Sequence, residues 1–248
     1  MEHETIRGRI RYTSKKPEIL DKERGGESFM ITKYIDGGRT LRTHAAIDEN
    51  SPRVLRDTVF SFDKNWRPTD GYVRLTVDEE FVGTTWYRFT ANAIECEGYT
   101  AQEGRFSSRL DLDKPAQLIV THPIQGDAML TTVYDTSKGP GELVTDPIPT
   151  ISFSHRGGTG PGLLTRKKKG FFRYLGPETV TVEAGTFEAL HFQIGPSSDD
   201  NYMGTDVHPP YNLWVTADGD YVLLKASVTG YMQTYYELVE YEKRKNFF

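Results

Sequence analysis

Five of the six histidines, leaving aside the terminal His3, a scatter of aspartates and tyrosines, and several arginines inside alternating segments are the side chains of this sequence that could do chemistry. General acid–base work near neutral pH needs a proton-exchanging group such as His, or a carboxyl tuned by burial, beside a phenolic or basic partner. His155 precedes the glycine-rich run Arg156-Gly157-Gly158-Thr159-Gly160-Pro161-Gly162, and His122 lies near Asp127 at the start of a predicted helix. Within the segment 54–62, Asp57 alternates with Arg56, so one of these two charges faces the interior. Asp57, Tyr87, His122 and His155 are therefore the candidate catalytic groups, with His or Asp57 as base and Tyr87 or an arginine stabilising a developing oxyanion. His44, Arg56, Trp86, Arg88, His191, Tyr211 and Trp214 are the candidate substrate contacts. No phosphate-binding glycine loop, nucleophile elbow or metal-ligand spacing occurs, so neither metal nor cofactor is expected.

The elements that must position these groups are strands. Of 248 residues, 14 are Tyr, 13 Phe and three Trp, types that suit half-buried pleated surfaces. From residue 29 onward, short alternating segments are separated by Gly, Pro, Asn and Asp. They cover 29–35, 40–47, 54–62, 72–77, 81–90, 93–98, 104–110, 117–121, 170–176, 178–194, 211–216, 221–227 and 231–241. Tight turns are expected at Asp36-Gly37-Gly38, Asp78-Glu79-Glu80, Glu183-Ala184-Gly185-Thr186 and Ala217-Asp218-Gly219-Asp220. Apolar residues at 124, 128, 129 and 133 recur at helical spacing and predict one helix over 123–135. The expected fold is mainly β: residues 1–248 as one antiparallel curved sheet, closed or half-closed into a barrel, with that helix against it.

The segment from Gly176 to Ala189, then Leu213-Trp214-Val215 and Tyr236-Glu237-Leu238-Val239, resembles a bacterial domain of unknown function whose fold is similar to the lipoprotein-carrier half-barrel. The resemblance covers about residues 170–241. It implies a curved sheet wrapping a helix or an apolar cavity, and it carries no catalytic motif.

The net charge of −5 argues against a general nucleic-acid or anionic-membrane surface. Cys96 is the single cysteine, which excludes an intrachain disulfide, and the amino-terminal residues lack a charged start followed by an apolar run. No apolar stretch of membrane-spanning length occurs. A cytoplasmic protein is expected, partnered by a hydrophobic small molecule, with no nucleic acid, no membrane insertion and a homodimer as an option. Two functions fit. One is a cofactor-free lyase or isomerase moving protons on an aromatic or terpenoid-like molecule inside the barrel. The alternative is a carrier or sensor that binds a lipid or other apolar ligand without converting it.

Overall fold

The structure, a computed structural model, describes residues 3–48, 52–152, 164–165, 169–195, 209–230 and 232–246. Eight strands come first: His3–Ser14 (β1), Glu23–Tyr34 (β2), Arg39–Ile47 (β3), Val54–Phe62 (β4), Pro68–Val77 (β5), Glu80–Phe89 (β6), Ala93–Thr100 (β7) and Gly104–Asp111 (β8). A short helix, Ile124–Met129 (α1), follows, with a 3-10 turn over Leu130–Val133. The remaining strands are Gly141–Thr145 (β9), Pro149–Thr150 (β10), Leu164–Thr165 (β11), Gly170–Val182 (β12), Gly185–Ile194 (β13), Tyr211–Thr216 (β14), Leu223–Val228 (β15) and Thr234–Asn246 (β16).

Fourteen strands form one sheet in the order β8-β7-β6-β5-β4-β3-β2-β1-β16-β15-β14-β13-β12-β9, while β10 pairs with β11 separately. Each neighbouring pair in the large sheet is antiparallel, so β1–β8 and β12–β16 are two meanders. The first and last long strands join them, with pairing from His3↔Asn246 to Ser14↔Thr234. Hydrogen bonds do not close the sheet: β8 and β9 end it, and neither has a second strand neighbour among the described residues.

Alternation builds these strands. In β4, Val54, Arg56, Thr58, Phe60 and Phe62 are buried and the residues between them are half-exposed. Three inward glycines make room for aromatic rings on the adjacent strand: Gly8 opposite Phe29, Gly71 opposite Phe60 and Gly98 opposite Phe106. A Cβ at Gly71 would stand 2.2 Å from the Phe60 ring, which stacks on Tyr87 at 6.1 Å between centroids. Between β5 and β6 the chain turns in two residues, Asp78 (φ 49°) and Glu79 (φ 69°), the left-handed pair of a type I′ hairpin.

The predicted helix is present, with Ile124, Gln125, Gly126, Ala128 and Met129 all buried. It sits on the concave side and belongs to one apolar cluster with Ile10, Phe29, Leu41 and Phe60 from the first meander and Leu213, Val215, Leu223 and Leu238 from the second. Two expectations are corrected. Regular structure begins at His3 rather than residue 29, because Ile6, Gly8, Ile10 and Tyr12 alternate with Arg7, Arg9 and Arg11. Residues 117–121 are no strand of the sheet: Val120 makes an isolated parallel bridge to Thr150.

Candidate functional site

One cross-strand row inside the barrel carries the polar groups of interest. Ile10 faces Glu27, Glu27 faces Ala45, Ala45 faces Arg56, and Arg56 faces Leu75. With strands about 4.8 Å apart, the backbones of Glu27 and Arg56 stand about 10 Å apart, and the small Ala45 leaves both long side chains room above it. Glu27 is 1% exposed and Arg56 is 2% exposed. Tyr12 donates its hydroxyl to Glu27 Oε2 at 2.8 Å and packs edge-on against Tyr236 at 4.9 Å. The same carboxylate caps the helix, accepting from Ile124 N at 2.8 Å on Oε2 and from Gln125 N at 3.2 Å on Oε1.

Burial dominates the electrostatics of this row. It pushes the Glu27 carboxyl up to about 7, against three hydrogen bonds that favour the anion. Burial also draws the Arg56 guanidinium down to about 10, while Tyr12, Tyr87 and Glu27 act on it in the opposite sense. Tyr87, walled by the same interior, is held well above the ordinary phenol range by burial. A guanidinium and a carboxyl that titrates near neutrality thus share one cross-strand row, with the Tyr12 phenol bonded to the carboxyl and Tyr87 on the same face in the Phe60–Gly71 row. Such a set can hold an anionic or hydroxyl-bearing head group, and Glu27 can exchange a proton at physiological pH.

The helix ties the two meanders together at this level. Gln125, fully buried, donates Nε2 to Tyr221 O at 3.0 Å and accepts from Leu223 N at 3.0 Å on Oε1. Glu27 from β2 and the start of β15 therefore both grip the first turn of α1.

The residues named from the sequence divide by strand face. Arg56 and Tyr87 are inside, and Tyr211 is buried on the inward side of β14 with Leu213 and Val215. Asp57 and His44 do meet, His44 Nδ1 lying 2.7 Å from Asp57 Oδ1, but on the outer face with both side chains about half exposed. This corrects the expectation that Asp57 joins Tyr87: alternation that turns Arg56 inward turns Asp57 outward. Trp86 and Arg88 are likewise outside, Arg88 Nε donating to Glu95 at 2.8 Å.

His191 and Trp214 also come together outside, stacked at 4.0 Å on the face of β14 opposite Leu213. His191 reaches Glu178 at 3.1 Å and Asn212 at 3.0 Å, and Trp214 Nε1 donates to Glu178. Burial lowers the His191 pKa. His122, half-buried at φ 74°, turns the chain into α1. His155 and the glycine-rich loop lie outside the described residues. Among the described residues no cluster of three or more His, Cys, Asp or Glu is arranged to hold a metal ion.

Sequence reasoning missed Glu27, Tyr12 and Gln125. Their signal is parity: Glu27 precedes Phe29 and Ile31 on the apolar side of β2, and Tyr12 follows Ile6 and Ile10 on the apolar side of β1.

No protein-family model matches the chain, and no curated protein matches it. Among solved structures, a beta-barrel-like protein of the domain of unknown function DUF1849 from Brucella abortus superposes with a TM-score of 0.57 at 13% identity, covering 98% of each chain. A candidate lipoprotein from Parabacteroides distasonis gives 0.32 at 8% identity, covering 96% of this chain and 94% of its own. A candidate exported protein with a YmcC-like fold from Bacteroides fragilis gives 0.30 at 9% identity, covering 97% and 95%. The Brucella likeness extends over the full sheet, so the chain has the fold of a barrel-like protein whose own function is unknown.

Proposed function

We propose that this protein binds an amphipathic small molecule on the concave side of the sheet without converting it. The head group, a carboxylate or a hydrogen-bonding hydroxyl, meets Arg56, Tyr12 and Tyr87, and the apolar body lies along Phe29, Phe60 and Met129. The observation that carries this reading is the buried Glu27–Ala45–Arg56 row, with Tyr12 bonded to Glu27 and Tyr87 buried on the same face of the sheet. The lipoprotein-carrier-like resemblance of residues 170–241 supports the same reading.

The outward turn of Asp57 weighs against a lyase or isomerase that pairs it with Tyr87, since Asp57 faces away from Tyr87 and meets His44 on the outer face. One observation favours proton chemistry: Glu27 titrates near 7 and shares a 2.8 Å hydrogen bond with Tyr12. In that second reading Glu27 takes the role given to Asp57 in the sequence.

Mass spectrometry of an organic extract of the purified protein tests the choice. Binding predicts a co-purified amphiphile in the wild-type extract that is lost or reduced at least tenfold in Arg56→Met, and unchanged in structure after incubation. An empty wild-type extract, together with no displacement of a fluorescent fatty-acid probe, overturns the binding reading. Time-dependent conversion of the extracted compound that stops in Glu27→Gln favours the enzyme.

A further inference from the structure

β8 ends the large sheet with one edge unpaired among the described residues, and its bonding parity fixes which groups that edge presents. Leu112 N donates to Asn92 O at 2.8 Å, in step with the β7–β8 register that runs from Ala93↔Asp111 to Thr100↔Gly104. Asn92 and Leu112 are thus a hydrogen-bonded pair, and in an antiparallel ladder such pairs recur at every second residue. The amides and carbonyls of Gly104, Phe106, Ser108 and Leu110 therefore bond β7, while those of Arg105, Ser107, Arg109 and Asp111 point out of the unpaired edge. Side chains alternate in the same step: Phe106, Ser108 and Leu110 are half-buried, and Arg105, Ser107, Arg109 and Asp111 are exposed. β8 carries no Pro and no bulge, two of the features that ordinarily blunt such an edge.

Charge selects the partner. A second β8 laid antiparallel along this edge must set odd residues against odd and even against even, since otherwise inward side chains would meet outward ones. Two such registers overlap over seven residues of the strand, 104–110 or 105–111. The first centres on Ser107 and sets Arg105 against Arg109 at both ends, a destabilising like-charge contact, with Phe106 against Ser108. The second centres on Ser108 and sets Arg105 against Asp111 and Phe106 against Leu110, again at both ends. Arg105 has no carboxylate partner among the described residues, and Asp111 is bonded through Oδ1 alone, to Arg109. The strand is therefore complementary to itself in charge, in apolar contacts and in backbone bonding at one register.

We propose that β8 pairs antiparallel with β8 of a second copy of this chain, with Ser108 against Ser108 at the two-fold axis, so that the two sheets run on as one. The contact is isologous, each Arg105 meeting the Asp111 across the axis and each Phe106 the Leu110. Phe106 packs against the apolar cluster of its own barrel, so the pairing carries that core across the axis. The outward amides and carbonyls of Arg105, Ser107, Arg109 and Asp111 gain partners in the same step. The pairing does not depend on the reading given for the barrel interior.

Sedimentation equilibrium of the full chain tests it, with a dimer expected for the wild type. Arg105→Glu, which sets a second carboxylate against Asp111, should weaken association about tenfold or more. Ser107→Pro removes an amide from the unpaired edge and none from the β7 ladder, and is expected to give a monomer with the far-UV circular dichroism of the wild type. In a Cys96→Ala background, Ser108→Cys should form a covalent dimer under a mild oxidant, since the Cα atoms of a non-hydrogen-bonded pair lie about 4.5 Å apart. A wild type that stays monomeric at its highest soluble concentration overturns the proposal, as does a dimer that both Arg105→Glu and Ser107→Pro retain. Cross-linking through Ser107→Cys but not through Ser108→Cys overturns the register. Open-ended polymers in place of a dimer assign the edge to a different strand of the next copy and also overturn it.

Discussion

At the scale of single residues, Glu27 makes the sharpest prediction. Its folded-state pKa of about 7 lies above the ordinary value of 4.5, so between these values the folded protein binds more protons than the unfolded chain. Stability therefore falls as pH rises from about 4.5 to about 7 and then levels, a loss on the order of 3 kcal/mol. Glu27→Gln cannot titrate, and urea unfolding across this range is expected to show that decline largely abolished; an unchanged pH slope removes Glu27 as its source. Gln125 is the second residue to test. Replacing it by Leu leaves Tyr221 O and Leu223 N without their side-chain partner in a buried setting, at a cost of about 2 kcal/mol or more. Hydrogen exchange at Leu223 should accelerate with it. The inside or outside fate of Arg56 and Asp57 was half legible: alternation requires them to face opposite ways, and the larger apolar partners of Arg56, Phe60 and Phe62, point to the buried side. Glu27 was less legible because Gly25-Gly26 interrupts the alternation just before it.

At the scale of elements, the glycine–aromatic pairs pin curvature and register together. Gly71 sits between Phe60 on β4 and Tyr87 on β6, and its missing Cβ is the space the Phe60 ring uses. Gly71→Ala is expected to cost about 1–3 kcal/mol by overpacking. Adding Phe60→Leu should restore part of that loss, so that the double variant is more stable than the sum of the two single changes; strict additivity in denaturant midpoints argues against the clash. The short helix follows similar logic. Its apolar residues at 124, 128 and 129 predict a helix, yet only the Glu27 cap and the Gln125 bridge decide that it docks inside the sheet. These partners come from positions 27, 221 and 223, nearly a hundred residues away in either direction, and no local pattern reports them.

At the scale of the whole molecule, two meanders meet along the β1–β16 seam, and an ionic cluster fastens one end of it. The Asp220 side chain is 1% exposed and takes Lys33 on Oδ1 and Lys243 on Oδ2, each at 2.5 Å, while Glu4 bonds Lys33 at 2.9 Å. Burial opposes charge on Lys243, but its bonds to Asp220 and Asp218 outweigh that and hold its pKa well above the usual lysine value. Asp220→Ala removes the shared anion and is expected to cost about 3 kcal/mol, lowering Tm by about 6–12 °C. Glu240→Ala, which breaks an exposed pair with Arg9, should cost under about 1 kcal/mol; equal effects in calorimetry contradict a special role for the buried anion. The sequence by itself determined most of the strands from Phe29 onward, most of their turns and the helix, though not β1, the start of β2 or β9, because periodicity and turn chemistry act over a few neighbouring residues. Tertiary structure alone decided that β1 meets β16, that β8 and β9 end the sheet among the described residues, and that Glu27 and Arg56 share one cross-strand row. Each of these depends on which distant strands lie side by side, and on bulges that reverse a strand face without leaving a mark in local composition.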